Sequence, residues 1–156
     1  MKAKTAIILA IGDSESMASG YSKYLHAVCG IALPMWAAAA AKPVTREPLV
    51  ILLDNGSIRL SDTLARNEYR CVKNCEISSG TAEQLSELLE DSEDPVLVIR
   101  GDMPLVRSET LQALMNSACG CAAGVLTVGR KDPTGFDCVV RAPDGRIEKV
   151  VSAKAA

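Results

Sequence analysis

Aromatic residues are scarce in this chain. One Trp, one Phe and three Tyr make up 3% of its 156 residues. A core must therefore be built from Ala, Val, Leu and Ile. An excess of one charge is also missing: 17 Lys and Arg against 19 Asp and Glu leave a net charge of −2. That balance gives no electrostatic case for nucleic acid or an anionic membrane as partner. No apolar run approaches the ~20 residues that span a bilayer; the Ala-rich stretch at 37–41 runs straight into Lys42-Pro43. Met1-Lys2-Ala3-Lys4 mimics the charged start of a secretory leader. The apolar run behind it covers only residues 5–11, ends at Gly12-Asp13 and has no cleavage signal. A soluble, cytoplasmic chain is expected. Internal repeats, heptads and low-complexity linkers are absent.

Two cofactor signatures are missing as well. The six cysteines include Cys71 with Cys75 and Cys119 with Cys121. Neither pair has the C-x2-C spacing of a zinc knuckle, and the single His26 lies in another segment. They read as reduced thiols used as small hydrophobes. The first turn has only Gly12 before Asp13-Ser14-Glu15. Without G-x-G-x-x-G, a dinucleotide-dependent oxidoreductase is excluded.

What is present is a globular pattern. Apolar residues reach 48%, and a chain this long buries roughly 68–70% of its unfolded surface as one domain. Residues 5–11, 48–53 and 95–99 are continuous apolar runs, which read as strands buried on both faces. Residues 69–72 and 122–128 read as further strands. Helical spacing marks 34–42, with Pro34 in its first turn, then 57–67, 81–89 and 108–116, the last with Ser108 as N-cap. Pro143-Asp144-Gly145 separates two strand-like runs, 135–141 and 146–151, a hairpin signal. Strand–helix alternation followed by strands predicts an α/β fold: a mostly parallel sheet, three layers, helices on both faces. Ligands of such sheets lie beyond the carboxyl ends of the strands. Residues 12–17 and Gly101-Asp102 are at such ends.

Several short motifs occur in a fixed order. They are Leu9-Ala10-Ile11-Gly12 with Met17, Lys23 and Leu25-His26; then Ser79-Gly80-Thr81-Ala82; then Gly101-Asp102-Met103-Pro104-Leu105; then Asp132-Pro133-Thr134-Gly135-Phe136; then Asp144-Gly145-Arg146 leading to Lys154. Together these resemble the sugar-phosphate nucleotidyltransferases, in the version found in the uridylyltransferase domain of bifunctional N-acetylglucosamine-1-phosphate uridylyltransferases. The likeness covers essentially the whole chain. It implies a Rossmann-like nucleotide-diphospho-sugar transferase fold. It also implies a nucleoside triphosphate and a sugar phosphate as substrates, with Mg²⁺. By the same resemblance Lys23 is the catalytic residue on the phosphates. Leu9, Ala10, Gly12, Lys23, Gly80, Thr81 and Gly101 bind nucleotide, Gly80 and Thr81 near the base. Asp102 holds the metal. Such chemistry needs positioned phosphates and neutralised charge more than covalent help.

The departures from the family pattern gather at the site. Ser14 stands for the second glycine, Ser16 for the arginine and Ser22 for the proline before the lysine. Cys75 and Ser78 fall where glutamines read the base, Asp137 at a glycine and Ser152 at the sugar-binding glutamate. Asp13 and Glu15 place two carboxylates where a triphosphate is expected. Like charges at 4 Å repel by ~1 kcal/mol in water and ~4 kcal/mol at an effective dielectric of 20. Loss of the arginine is worth on the order of 10³ in rate, by analogy with arginine fingers. The family domain continues past Ala156, and its β-helix acetyltransferase domain lies beyond that. Two alternatives to UTP and N-acetylglucosamine 1-phosphate stay open. One is a catalytically impaired relative that binds nucleotide, a protein partner or a second copy of itself. The other is a molybdopterin guanylyltransferase-like enzyme, which Ser14 and the run 101–105 also fit.

Overall fold

The computed structural model describes residues 1–11, 17–54, 58–67, 69–74 and 94–152. The chain divides into two compact units, Met1–Ala122 and Ala123–Ala156.

The first unit is built on four parallel strands: β1 (Ala6–Ala10), β4 (Val50–Asp54), β5 (Arg70–Asn74) and β6 (Leu97–Arg100). Their order across the sheet is β5-β4-β1-β6. Chain order along the sheet is thus third, second, first, fourth, so the winding reverses between β1 and β6. Ile8 lies between Ile51 and Ile99 in register, and Ile7 between Val50 and Val98.

Alternation sorts these side chains onto two faces. Ala6, Ile8, Ala10, Ile51, Leu53, Leu97 and Ile99 join one buried cluster. Three helices complete it: Ala37, Ala38 and Ala41 of α1 (Leu33–Ala41), Leu60 and Leu64 of α2 (Ile58–Ala65), and Leu111 and Met115 of α3 (Ser108–Ser117). On the opposite face Ile7 and Val50 are also buried, so the central strands are covered on both sides. The scarcity of aromatics explains the form of α1. With Ala at every buried position after Pro34, the helix backbone sits close to the sheet without large side chains between them.

A small hairpin precedes α1. Strands β2 (Ala27–Val28) and β3 (Ile31–Ala32) pair antiparallel through Cys29 and Gly30. Both turn residues have positive φ, +52° and +77°, as a two-residue hairpin with the right twist requires. Before it, Lys23–Leu25 forms a single 3-10 turn, with Ser22 Oγ accepting from Tyr24 N. Ser22 has φ −52°, close to the value a proline imposes. The position keeps proline geometry with a serine cap.

In the second unit, β7 (Cys138–Arg141) and β8 (Ile147–Val151) form an antiparallel hairpin. Asp144 accepts from Arg146 N at 3.0 Å, and Gly145 takes φ +84°. This is the turn expected at Pro143-Asp144-Gly145.

Four expectations need correction. Residues 122–128 form no strand: Val125, Leu126 and Val128 are exposed, and no backbone ladder reaches them among the described residues. The apolar run is there, but a strand exists only with a partner. The run ending at Ile99 is not buried on both faces: Leu97 and Ile99 are buried, but no described element covers the other face of β6, where Val98 is half exposed. Ser108 is not an N-cap. Arg107 holds that position without a side-chain cap, and Ser108 Oγ donates to Ala40 O at 2.8 Å, tying α3 to α1. Finally, Cys29, Cys119 and Cys121 are exposed at turns, and among the described cysteines only Cys71 packs against the core as a small hydrophobe. The helix expected at 81–89 lies outside the described residues.

Candidate active site

The carboxyl ends of β1 and β6 meet at the reversal of strand order, where sheets of this kind bind ligands. Gly101 follows β6 and donates its N–H to Leu9 O on β1 at 2.8 Å. A side chain at 101 would not fit. A Cβ there would lie 3.0 Å from Leu9 O and 3.3 Å from Pro34 Cγ. This contact fixes where the next residue, Asp102, points.

Asp102 is the hub. Lys23 Nζ donates to its Oδ2 at 2.8 Å, across 79 residues of sequence. Arg100 grips it as a fork, Nε to Oδ1 at 3.0 Å and a terminal guanidinium nitrogen to Oδ2 at 2.8 Å. Lys23 and Asp102 side chains are 13% and 19% exposed, whereas Arg100 is 66% exposed. The Arg100 hydrogen bonds, with those of Lys23, hold the Asp102 carboxyl far below the usual carboxylate range despite burial. Burial pulls the Lys23 ammonium down, but Asp102 and Tyr24 outweigh it and leave its pKa raised.

Tyr24 is the brace. It is 2% exposed, and its hydroxyl donates to Ile11 O at 2.7 Å. Lys23 Nζ lies 5.0 Å from its ring centroid, within cation–π range. Burial pushes the Tyr24 phenol up, so it stays a neutral donor. One residue thus anchors the chain leaving β1 and the lysine that reaches Asp102. Beside this turn, on the α2 side, a pocket of about 430 Å³ is lined by Tyr21, His26, Arg59 and Arg66 among others. His26 Nε2 is buried and has no hydrogen-bond partner among the described residues.

Of the residues singled out from sequence, Leu9, Ala10, Lys23, Gly101 and Asp102 come together here. Gly12, Gly80 and Thr81 lie outside the described residues. Sequence reasoning missed Arg100 and Tyr24. Arg100 had a signal: a cation closing an otherwise apolar strand, two residues before Asp102, where strand alternation puts both side chains on one side. Tyr24 had none, since a tyrosine beside a lysine does not announce a hydrogen bond to Ile11.

A divalent cation at Asp102 does not fit these residues as they stand. Three charged hydrogen bonds fill most of the roughly four lone-pair positions of a carboxylate. No group of three or more His, Cys, Asp or Glu that could hold a metal occurs among the described residues.

A parallel sheet whose strand order reverses beside this cluster defines a doubly wound α/β protein, with its ligand position at the reversal. The chain belongs to the MobA-like NTP transferase domain family, whose model matches residues 6–154. It is 32% identical over 149 residues to the bifunctional protein GlmU of Paraburkholderia phymatum, and 34% over 150 residues to that of Ralstonia nicotianae. Each alignment covers 95% of this chain and 33% of the relative, so the chain spans about a third of the length of these curated relatives. Solved structures share the fold. The inositol-1-phosphate CTP transferase from T. maritima has TM-score 0.64 and 20% identity, over 99% of this chain and 65% of that one. A 4-diphosphocytidyl-2C-methyl-D-erythritol synthase has TM-score 0.60 and 18% identity, over 99% and 69%. Rv0371c from Mycobacterium tuberculosis, solved as a manganese complex, has TM-score 0.58 and 16% identity, over 75% and 60%. No helix among the described residues is long and apolar enough to cross a membrane.

Proposed function

We propose that this chain is a cytoplasmic nucleotidyltransferase domain that takes UTP and N-acetylglucosamine 1-phosphate and forms UDP-N-acetylglucosamine. A phosphate oxygen of the sugar attacks the α-phosphorus. The bond to the β-phosphate oxygen breaks, and pyrophosphate leaves with the electron pair. The observation that carries the reading is the Lys23–Asp102–Arg100 cluster at the ends of β1 and β6. Two cations meet one carboxylate where a polyphosphate has to be neutralised. Lys23 is held against that position by Asp102 and Tyr24, so little conformational freedom is lost when phosphate arrives. Gly101 sets the spacing of the two strand ends, and the resemblance assigns Leu9, Ala10 and Gly12 to the phosphates and Gly80 with Thr81 to the base. The family match through both units supports treating 1–156 as one domain. Mg²⁺ is the cation the resemblance implies. No step is assigned to it, because Asp102 is engaged by side chains.

A second reading is favoured by the sequence of the loop. Ser14 and Ser16 stand where the family has glycine and arginine, beside Asp13 and Glu15. On that reading the pocket binds nucleotide with little or no turnover and works through a protein partner or a second copy.

Calorimetry with UTP, with and without Mg²⁺, separates these when pyrophosphate release is followed after addition of N-acetylglucosamine 1-phosphate. Binding with release supports the transferase. Binding without release supports the impaired relative. GTP is the next triphosphate to try, for the guanylyltransferase-like alternative. Failure of every triphosphate to bind sinks the nucleotide reading.

A further inference from the structure

Resting on the nucleotide site proposed above, we propose that Arg100 acts as a built-in counter-cation that keeps divalent metal off Asp102. Three features of the site lead there. The first is local geometry. Arg100 and Asp102 are two residues apart at the end of β6, and the guanidinium fork meets both carboxylate oxygens at 3.0 and 2.8 Å. Forked guanidinium–carboxylate pairing is among the stronger and more directional hydrogen-bonded contacts. With both partners on one short stretch of chain, closing it orders few bonds.

The second feature is Lys23 on the other side. Its ammonium reaches Oδ2 at 2.8 Å, is mostly buried, and rests against the Tyr24 ring. A metal approaching Asp102 meets one cation it must displace and another that is tethered. The third is the poverty of other ligands among the described residues. A hard divalent cation takes about six oxygens and is usually bound by more than one carboxylate or by carboxylate with substrate phosphate. Among the described residues no second acidic, His or Cys cluster completes a set around Asp102. The carboxylate is thereby a structural anion that aligns two cations.

The test uses Mn²⁺ alone, with no nucleotide, so its outcome is independent of the transferase reading. Mn²⁺ binding is followed by electron paramagnetic resonance and calorimetry on the intact chain, on Arg100→Gln, on Arg100→Ala, and on each combined with Asp102→Asn. Arg100 is largely exposed, so both single variants should fold as the parent does, which circular dichroism and thermal melting check. The expected result has two parts. The parent binds Mn²⁺ no better than its Asp102→Asn variant. Both Arg100 variants gain roughly tenfold or more in affinity, the scale on which a ligand's neighbours tune metal sites, and lose the gain with Asp102→Asn. Parent binding that Asp102→Asn abolishes would overturn the proposal. So would the absence of any gain in both Arg100 variants.

Discussion

β1 and β6 are neighbours in one sheet and are built on opposite terms. β1 is apolar throughout, with Ile7 and Ile8 fully buried on its two faces. β6 alternates, burying Leu97 and Ile99 while Val98 and Arg100 face outward. β1 ends in backbone groups, Leu9 O held by Gly101 and Ile11 O held by Tyr24. β6 ends in side-chain charge. The lesson is a division of labour: the central strand fixes position and the outer strand supplies chemistry. Substitutions on β1 should therefore register as stability, and those at the end of β6 as charge-dependent behaviour.

The largest effect is expected at the middle of β1. Ile8→Ala empties a fully buried site between Ile51 and Ile99. Loss of the transferred apolar surface plus the residual cavity should cost about 2–5 kcal/mol in urea melts. A loss below about 1 kcal/mol would mean that the cluster collapses around the gap, and that β1 is less rigid than its burial implies.

Next in size is the joint between the strands. Gly101→Ala puts a Cβ 3.0 Å from Leu9 O, a backbone atom that cannot rotate away, and 3.3 Å from Pro34 Cγ. Overpacking of this kind costs about 1–3 kcal/mol. Because the same shift moves Asp102 away from Lys23, the variant should lose nucleotide affinity along with stability. Stability lost with affinity unchanged would separate the joint from the site.

Asp102→Asn comes third and has a pH signature. In the folded chain the Asp102 carboxyl is held below its ordinary range by Arg100 and Lys23. A depressed carboxylate contributes stability that is fully present above its unfolded value, near pH 4, and lost as pH falls through the folded one. The parent should exceed Asp102→Asn by about 1–3 kcal/mol at pH 7, toward the lower end because water reaches part of the cluster. That advantage should persist to about pH 5 and narrow below pH 4. A gap that stays constant down to pH 2 would show that packing, not ionisation, is what the substitution removes.

How much of this was legible follows the same division. The apolar runs at β1 and β4 and the Pro143-Asp144-Gly145 turn were readable because burial and turn chemistry act locally. The resemblance placed Lys23, Gly101 and Asp102, and the fold brings these three together at one point. Three things were not readable. The β2–β3 hairpin turns on Cys29 at positive φ, a residue with no such preference. The run at 122–128 has strand composition without a described partner, and composition carries no information about pairing. Tyr24 looks like an ordinary tyrosine beside a lysine until the fold places its hydroxyl on Ile11 O, since a side chain's role lies in what it faces. The thiols were misread for a related reason: Cys is usually buried, but Cys29, Cys119 and Cys121 fall at turns.

The smallest effect is expected one residue pair away from the largest. Val98 pairs in register with Ile7 on the face opposite the helix cluster, yet it is 50% exposed where Ile7 is fully buried. Val98→Ala removes two methyl groups that water already reaches, and surface changes of that kind stay within about 0.5 kcal/mol. Val98→Ala and Ile8→Ala, measured side by side in urea, set the two strands against each other directly. The ratio matters more than either value, since both share one unfolded reference. If Val98→Ala costs as much as a core truncation, the face of β6 that carries Val98 is not open in solution. The exposure of Arg100 beside it would then have to be reconsidered along with its access to phosphate.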